Sequence, residues 1–314
     1  NNFHIYEVVG RGKHSVVYKG RQKKTIQYYA VKSVEKSQRP YILQEGKVLQ
    51  SLKHPNVMAF YSWYETTNHL WLVLEFCVGG DLLTLLRQDK KLPETSIHDI
   101  GRDLLSALHA LHSNGIVHCD LKPSNVLLDE NGRVKLGGFG LARTAADILN
   151  KHRSSRRSSG QDGSKRGTPC YMSPELLRGD FNCHSFASDV WALGCILYEC
   201  AVGQPPFVSS SLNALVDAIL HKEVHLPSSL SEGFRDLLRR CVSKNPRERM
   251  GWEEILRHPV WKSSIKLDKV PKQAVFAELL GSCGYRLEGE DGEGRDLAPI
   301  ASDDGKENLS LIHI

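Results

Sequence analysis

The chain holds 314 residues, 40% of them hydrophobic and 25% charged, the ordinary balance of a soluble globular protein able to bury one or two sizeable cores. Its net charge of +5 is concentrated in residues 150–166, where Lys151, Arg153, Arg156, Arg157, Lys165 and Arg166 are opposed only by Asp162. The remainder is near neutral, which argues against a nucleic-acid-binding face.

Eight cysteines without a CxxC pair read as small apolar residues in a reducing compartment. The longest apolar run, Val190 to Gly203, is too short to span a bilayer and is interrupted by Glu199, so no membrane partner is expected. No signal peptide opens the chain, which points to the cytoplasm, and the missing initiating Met fits a piece of a longer protein.

Strand-like runs rich in Val, Ile and Tyr come first, at 5–9, 15–20 and 28–34, with Gly20 to Lys24 reading as the turn between the last two. A helical stretch over Tyr41 to Leu52 follows, then strands near 57–64 and 70–76. From Asp81 the apolar spacing is helical, over 81–88, 94–114, 185–202, 211–221 and 232–241. Short strands at 126–128 and 134–136 flank the turn Asp129-Glu130-Asn131-Gly132. A β-rich smaller part before an α-rich larger part predicts an α+β fold of two lobes with a ligand cleft between them. Two segments read as disordered: the basic, Ser-rich 149–166 and the Gly-rich, acidic 287–314.

Gly10-Arg11-Gly12-Lys13-His14-Ser15-Val16-Val17 is a Gly-x-Gly-x-x-small-x-Val loop. Such glycines let the backbone approach phosphates closely and aim N–H groups at them. A dinucleotide-binding fingerprint would need a helix after the glycines. The β-branched run Val16-Val17-Tyr18 follows instead, so the loop joins two strands. By itself an ordinary hairpin explains this pattern equally well. Tyr29-Ala30-Val31-Lys32 then puts a lysine on the next strand, and Glu45 lies on the following helical run, placed to pair with it. Each alone would read as a solvated surface charge. The stretch His118-Cys119-Asp120-Leu121-Lys122-Pro123-Ser124-Asn125 decides the matter. Phosphoryl transfer needs a carboxylate beside the attacking hydroxyl, a cation on the transferring group and an oxygen ligand for Mg²⁺. Asp120, Lys122 and Asn125 supply these along one loop.

Together these motifs resemble the protein kinase family over about residues 4–262, and Lys122 followed by Pro123 resembles its serine/threonine type. Gly167-Thr168-Pro169-Cys170-Tyr171-Met172-Ser173-Pro174-Glu175 resembles the peptide-docking loop, with Ser173 where the family has Ala. Asp189-Val190-Trp191-Ala192-Leu193-Gly194 resembles the family's central helix, and Arg249 is the buried partner expected of Glu175. The resemblance implies a bilobal protein-kinase fold: a small β-rich N-lobe at about 4–76, a larger α-helical C-lobe at about 81–262, and a C-terminal extension over 263–314. It implies ATP as the bound nucleotide, held by Gly10, Gly12, Ser15, Val17, Ala30, Lys32, Glu75, Cys77 and Leu127. It further implies Asp120 as base, Lys32 and Lys122 as phosphate cations, and Glu45 as the group that orients Lys32. Leu49, Phe60, His118 and Phe139 match the apolar stack of an active-type scaffold.

A closer likeness lies in His4-Ile5-Tyr6-Glu7, Trp63-Tyr64-Glu65-Thr66, Asn68-His69-Leu70-Trp71-Leu72-Val73 and Cys77-Val78-Gly79-Gly80-Asp81-Leu82. These are similar to the Unc-51-like and Fused branch, nearest its plant RUNKEL type and the animal counterpart. That likeness implies an association with microtubules or cilia, by analogy alone, and leaves the protein substrate or scaffold partner unspecified.

Two positions depart from the family pattern. Where the family has Asp-Phe-Gly this chain has Gly138-Phe139-Gly140, so the main Mg²⁺ ligand is absent and Asn125 remains as a metal-binding residue. Charge neutralisation by that metal is worth several kcal/mol, about 10²–10⁴ in rate. Weak or absent phosphotransfer is expected, with a nucleotide-binding pseudokinase scaffold as the alternative. Cys119 stands where the family has an arginine that pairs with a phosphorylated activation loop. Phosphorylation of the basophilic-looking Arg156-Arg157-Ser158-Ser159 should therefore not order that loop. His109 and His112, at i and i+3, read as structural residues rather than metal ligands. Lys306-Glu307-Asn308 matches a destruction-signal tripeptide of a kind that arises mostly by chance.

Overall fold

The computed structural model describes residues 2–155, 169–178 and 184–261, without the side chains of 151–155. The β-branched and aromatic residues of the first third form five strands: β1 (Phe3–Gly12), β2 (Ser15–Gln22), β3 (Tyr28–Glu35), β4 (Phe60–Glu65) and β5 (His69–Glu75). They pair antiparallel in the order β1-β2-β3-β5-β4. Helix α1 (Arg39–Ser51) is inserted between β3 and β4, with Pro40 in its first turn, where no backbone N–H is needed. Its residues Ile42, Glu45, Val48 and Leu49 fall on one face and are buried.

The helical part begins with α2 (Leu82–Asp89), whose first turn is capped by Asp81 accepting the Thr84 N–H at 2.8 Å. It continues with α3 (Glu94–Ser113), the short strands β6 (Ile116–Val117), β7 (Val126–Leu128), β8 (Val134–Leu136) and β9 (Arg143–Thr144), and helices α4 (Ala145–Ser155) and α5 (Pro174–Leu177). Helix α6 (Phe186–Val202) is buried on all sides from Phe186 to Cys200, as its nearly unbroken apolar sequence requires. Helices α7 (Leu212–His221), α8 (Glu232–Cys241) and α9 (Trp252–Arg257) complete the described residues. At Gly194 a Cβ would lie 2.7 Å from that of Cys241, so the missing side chain is what lets α6 and α8 approach. One buried apolar cluster runs from Ala30 and Leu72 through Leu136 and Phe139 to Leu105, Leu193 and Leu238, joining the sheet to the helical part beneath it. The fold is thus α+β and bilobal, with the cleft where the two parts meet.

Besides the longer β1, three boundaries differ from the sequence reading. Strand β4 begins at Phe60 rather than near 57, because the preceding residues are tied elsewhere. Asn56 Nδ2 donates to the Val134 carbonyl at 3.1 Å, and Val57 forms a lone parallel bridge to Leu136. The β2–β3 turn is shifted toward 23–27, because β2 stays paired with β1 as far as Gln22 opposite Phe3. Residues 149–155, expected in a disordered loop, continue helix α4. Ala145 and Ile148 are buried there, and Leu149 packs with them on Val117, Cys119 and Phe186, an apolar anchor that polar composition conceals. The rest of that loop, 156–166, and the extension 263–314 lie outside the described residues, as do Ser158, Ser159 and Lys306 to Asn308. Among the described residues no helix is long and apolar enough to cross a membrane.

Candidate active site

The register of the sheet assembles one wall of the cleft. Gly10 stands opposite Val17 on the neighbouring strand, and Val17 stands opposite Lys32 on the next. Directly opposed residues share a face of a sheet, so the three line up on one side. Lys32 reaches toward α1 and donates to both oxygens of Glu45, at 2.9 and 2.7 Å. The Glu45 side chain is 2% exposed, so the pair is held in low dielectric, where removing either member leaves an uncompensated buried charge. Helix α1 is fixed in turn from below: Gln44 Nε2 donates to the Ala142 carbonyl at 3.1 Å, beside the 3₁₀ turn Phe139–Leu141.

A cavity of about 250 Å³ opens under this wall. His14, Ser15, Lys32, Glu45, Asp120, Asn125 and Gly138 line it, so Ser15, Lys32, Glu45, Asp120 and Asn125 are brought together, whereas Gly10, Gly12 and Lys122 lie outside its lining. Val17, Ala30 and Leu127 lie outside its lining but belong to one apolar group, Val17 and Leu127 packing half-buried on the cluster that contains Ala30. The chain after β5 is pinned beside Leu127 by Gly79 N–H donating to the Leu128 carbonyl and Leu128 N–H donating to the Gly80 carbonyl, both at 2.9 Å. Cys77 sits in that connection. Burial, helped by the nearby Glu75 charge, pushes its thiol up to about 12, so it is not a nucleophile at neutral pH.

Sequence reasoning missed the partners of Glu75. Its carboxylate meets Lys135 Nζ at 2.7 Å and accepts the Ala59 N–H at 3.0 Å. No local pattern signals a pair that joins β5 to β8 across sixty positions of chain.

The other wall is a single loop. Asp120 Oδ2 lies 2.9 Å from Lys122 Nζ, and Asn125 Nδ2 donates to the Asp120 carbonyl at 2.7 Å and to its Oδ2 at 3.3 Å. Gly138 follows in left-handed backbone (φ 79°), the conformation that favours glycine. A Cβ there would lie 2.3 Å from Asn125 Cγ. The Asn125 amide therefore occupies the space into which a side chain at 138 would project, and it is turned toward Asp120. Among the described residues no three His, Cys, Asp or Glu side chains group as a metal site. Below, His118 is fully buried with its ring 5.1 Å from that of Phe139. Its Nε2–H donates to the Gly137 carbonyl at 2.9 Å, while its Nδ1 accepts the Asp120 N–H at 3.3 Å. The stack expected from sequence is present: Leu49 and Phe139 are buried in one cluster and Phe60 packs against it.

Asp189 and Arg249 frame this wall. The buried Asp189 carboxylate accepts the N–H groups of His118 at 2.8 Å and Cys119 at 3.2 Å, and His112 Nε2 at 2.9 Å. Burial opposes its charge, yet the hydrogen bond from His112, with the backbone N–H of His118, holds the carboxyl below its ordinary range. His112 Nδ1 accepts from Trp252 Nε1, so this histidine is structural, as its sequence context suggested. Cys119 has a positive φ of 65° and packs in the apolar group with Ala145 and Ile148. Burial, together with the Asp189 charge, raises its thiol well above the ordinary value. Arg249 is bidentate on Glu175, at 2.7 and 3.0 Å, and donates also to the carbonyls of Ala187 and Ser243. Burial works against the Glu175 charge, but Arg249 more than offsets it and lowers the carboxyl from its usual range.

The family profile for the protein kinase domain matches residues 3–261. The chain is 53% identical over 283 residues to the serine/threonine-protein kinase RUNKEL of Arabidopsis thaliana, covering 90% of this chain and 20% of that protein. It is 40% identical over 287 residues to the serine/threonine-protein kinase ULK4 of Mus musculus, covering 84% and 22%. With the serine/threonine-protein kinase fused of Drosophila melanogaster the figures are 36% over 279 residues, 87% and 33%. The chain therefore spans a fifth to a third of the length of these relatives.

Proposed function

Since the chain belongs to the serine/threonine protein kinase family, we propose that it is an ATP-binding domain whose transfer of the γ-phosphate to a protein Ser or Thr is weak or absent. The observation that carries this reading is Gly138: no side chain is present, and the neighbouring Asn125 amide fills the space and turns to Asp120. Family membership implies ATP and typically Mg²⁺, but the residues here do not make a full Mg²⁺ site. Asn125 offers one oxygen, and hard divalent cations need several.

The nucleotide-gripping residues are better supported. Lys32, fixed by Glu45, takes the α- and β-phosphates. The backbone around Gly10, Gly12 and Ser15 covers them, and Val17, Ala30 and Leu127, with the Glu75–Cys77 connection, hold the adenine. Asp120 is the base for an incoming hydroxyl and Lys122, at 2.9 Å, the cation beside it. A pseudokinase scaffold is the second reading, favoured by the completeness of the Lys32–Glu45 pair and the His118–Phe139 stack in a site without its metal carboxylate. A cytoplasmic protein partner, microtubular or ciliary, is the corresponding proposal for its setting and rests on the branch resemblance.

The test is phosphotransfer to a generic Ser/Thr-bearing protein with Mg²⁺ or Mn²⁺, beside a Gly138→Asp variant. Aspartate tolerates left-handed backbone better than most residues, and Asn125 must swing off Asp120 to admit it. Turnover should rise about 10²–10⁴-fold in the variant. Equal turnover in both proteins would reject the role given to position 138.

A further inference from the structure

On the face of the N-lobe sheet away from the cleft lies a groove of about 320 Å³. Its lining includes Val31 and Val73, which are buried, and Phe3, Ile5, Tyr64 and Trp71. Ile5 is 47% and Tyr64 44% exposed, and the Phe3 and Tyr64 rings lie 6.4 Å apart. The nucleotide site uses none of these residues. Apolar aromatic concavities of this kind on a protein surface mark docking sites.

The rim is basic at one end. Asn2, which also lines the groove, accepts the Lys23 N–H at 2.9 Å through its carbonyl, so the β2–β3 hairpin is tied to the groove edge. Lys23 and Lys24 are exposed on that hairpin, and Ile26 beside them is 92% exposed. Residues 1–76 carry eleven Lys and Arg against five Asp and Glu.

The occupant with matching chemistry is in this chain. Beyond Trp261 comes the apolar run Val275-Phe276-Ala277-Glu278-Leu279-Leu280, and after it an acidic stretch containing Glu288, Glu290, Asp291, Glu293 and Asp296. Residues 287–314 hold eight acidic and two basic side chains, the reverse of the N-lobe. Fifteen residues separate Trp261 from Phe276, a reach of up to about 50 Å. A domain of this size has a radius of gyration of about 18 Å and hence a diameter of about 45 Å, a span within that reach. We propose that Val275 to Leu280 docks in the Phe3–Tyr64–Trp71 groove, with the acidic stretch following it onto Lys23 and Lys24, as an intramolecular strap on the back of the N-lobe.

The experiment uses the whole 314-residue chain and zero-length carboxyl–amine cross-linking with peptide mapping, alongside hydrogen exchange over 274–287. Cross-links from Lys23 or Lys24 to Glu288 to Glu293 should appear in the monomer band, independent of protein concentration and lost in high salt. Tyr64→Glu on the exposed wall of the groove and Phe276→Asp in the tail should each speed exchange of 274–280 by about tenfold. Cross-links that form only between two copies and grow with concentration would overturn the strap in favour of a dimer contact. Unprotected exchange with no such cross-links would also overturn it, leaving the groove to a separate protein.

Discussion

The two walls of the cleft differ in what holds their charged groups. On the N-lobe wall Lys32 sits on a strand paired on both sides, and its partner Glu45 is buried on a helix packed beneath the sheet. On the C-lobe wall Asp120, Lys122 and Asn125 hang from one loop, where Lys122 and Asn125 both reach Asp120. With no carboxylate at 138, the Asn125 amide lies where that side chain would project, and the Lys32–Glu45 pair and the His118–Phe139 stack are in place. The stack survives because it uses the Phe139 ring and the Gly137 carbonyl, neither of which depends on a side chain at 138. On the proposed function, nucleotide grip and metal binding are separable, because different elements carry the residues assigned to each.

The harshest way to break the comparison is to remove the frame of the C-lobe wall. Arg249→Ala strips a buried, bidentate partner from Glu175 and should destabilise the protein by about 3–5 kcal/mol in denaturant unfolding. A cost within the range of an exposed pair would mean that this buried pair does not frame the C-lobe wall.

Acid should loosen the C-lobe wall more gently. His184 lies in a small cavity with Cys119, Asp120 and Asp189, and burial, reinforced by Arg143, lowers its imidazole to about 4. The unfolded chain binds this proton below about pH 6.5, whereas the folded one resists until about pH 4. Stability is therefore full above pH 6.5 and falls between 6.5 and 4, by about 1–3 kcal/mol from this group. His184→Gln should flatten that stretch of the pH–stability curve, and an unchanged slope would remove His184 from the account.

Smaller still is the contrast between the walls themselves. Lys32→Ala should weaken ATP binding by about tenfold or more, because the lysine touches ground-state phosphates. Asp120→Ala should change it little, since it releases Lys122 for the nucleotide while removing a group that acts on the incoming hydroxyl. Equal losses would show that the cleft is assigned wrongly.

Chemistry that fixes residue type and spacing was legible in the sequence: Lys32, Glu45, Asp120 and Asn125 line one cavity, though Gly10, Gly12 and Lys122 do not, and the strands and helices around it fall where hydrophobic periodicity places them. Helix α4 was not, because three apolar anchors, Ala145, Ile148 and Leu149, precede a basic run whose composition dominates any window. Their docking partner, Cys119, stands at the position where the family resemblance leads one to expect an arginine. The turn of Asn125 onto Asp120 and the Glu75–Lys135 pair depend on side-chain conformation and on distant chain segments, which no local pattern encodes.

The most direct measurement is also the one with the smallest expected effect: titration of ATP into the intact chain with and without Mg²⁺. With Lys32–Glu45 complete and no carboxylate at 138, the two dissociation constants should agree within about threefold. A gain of about tenfold or more on adding Mg²⁺ would show a working metal site in this cleft and contradict the separation of grip from metal.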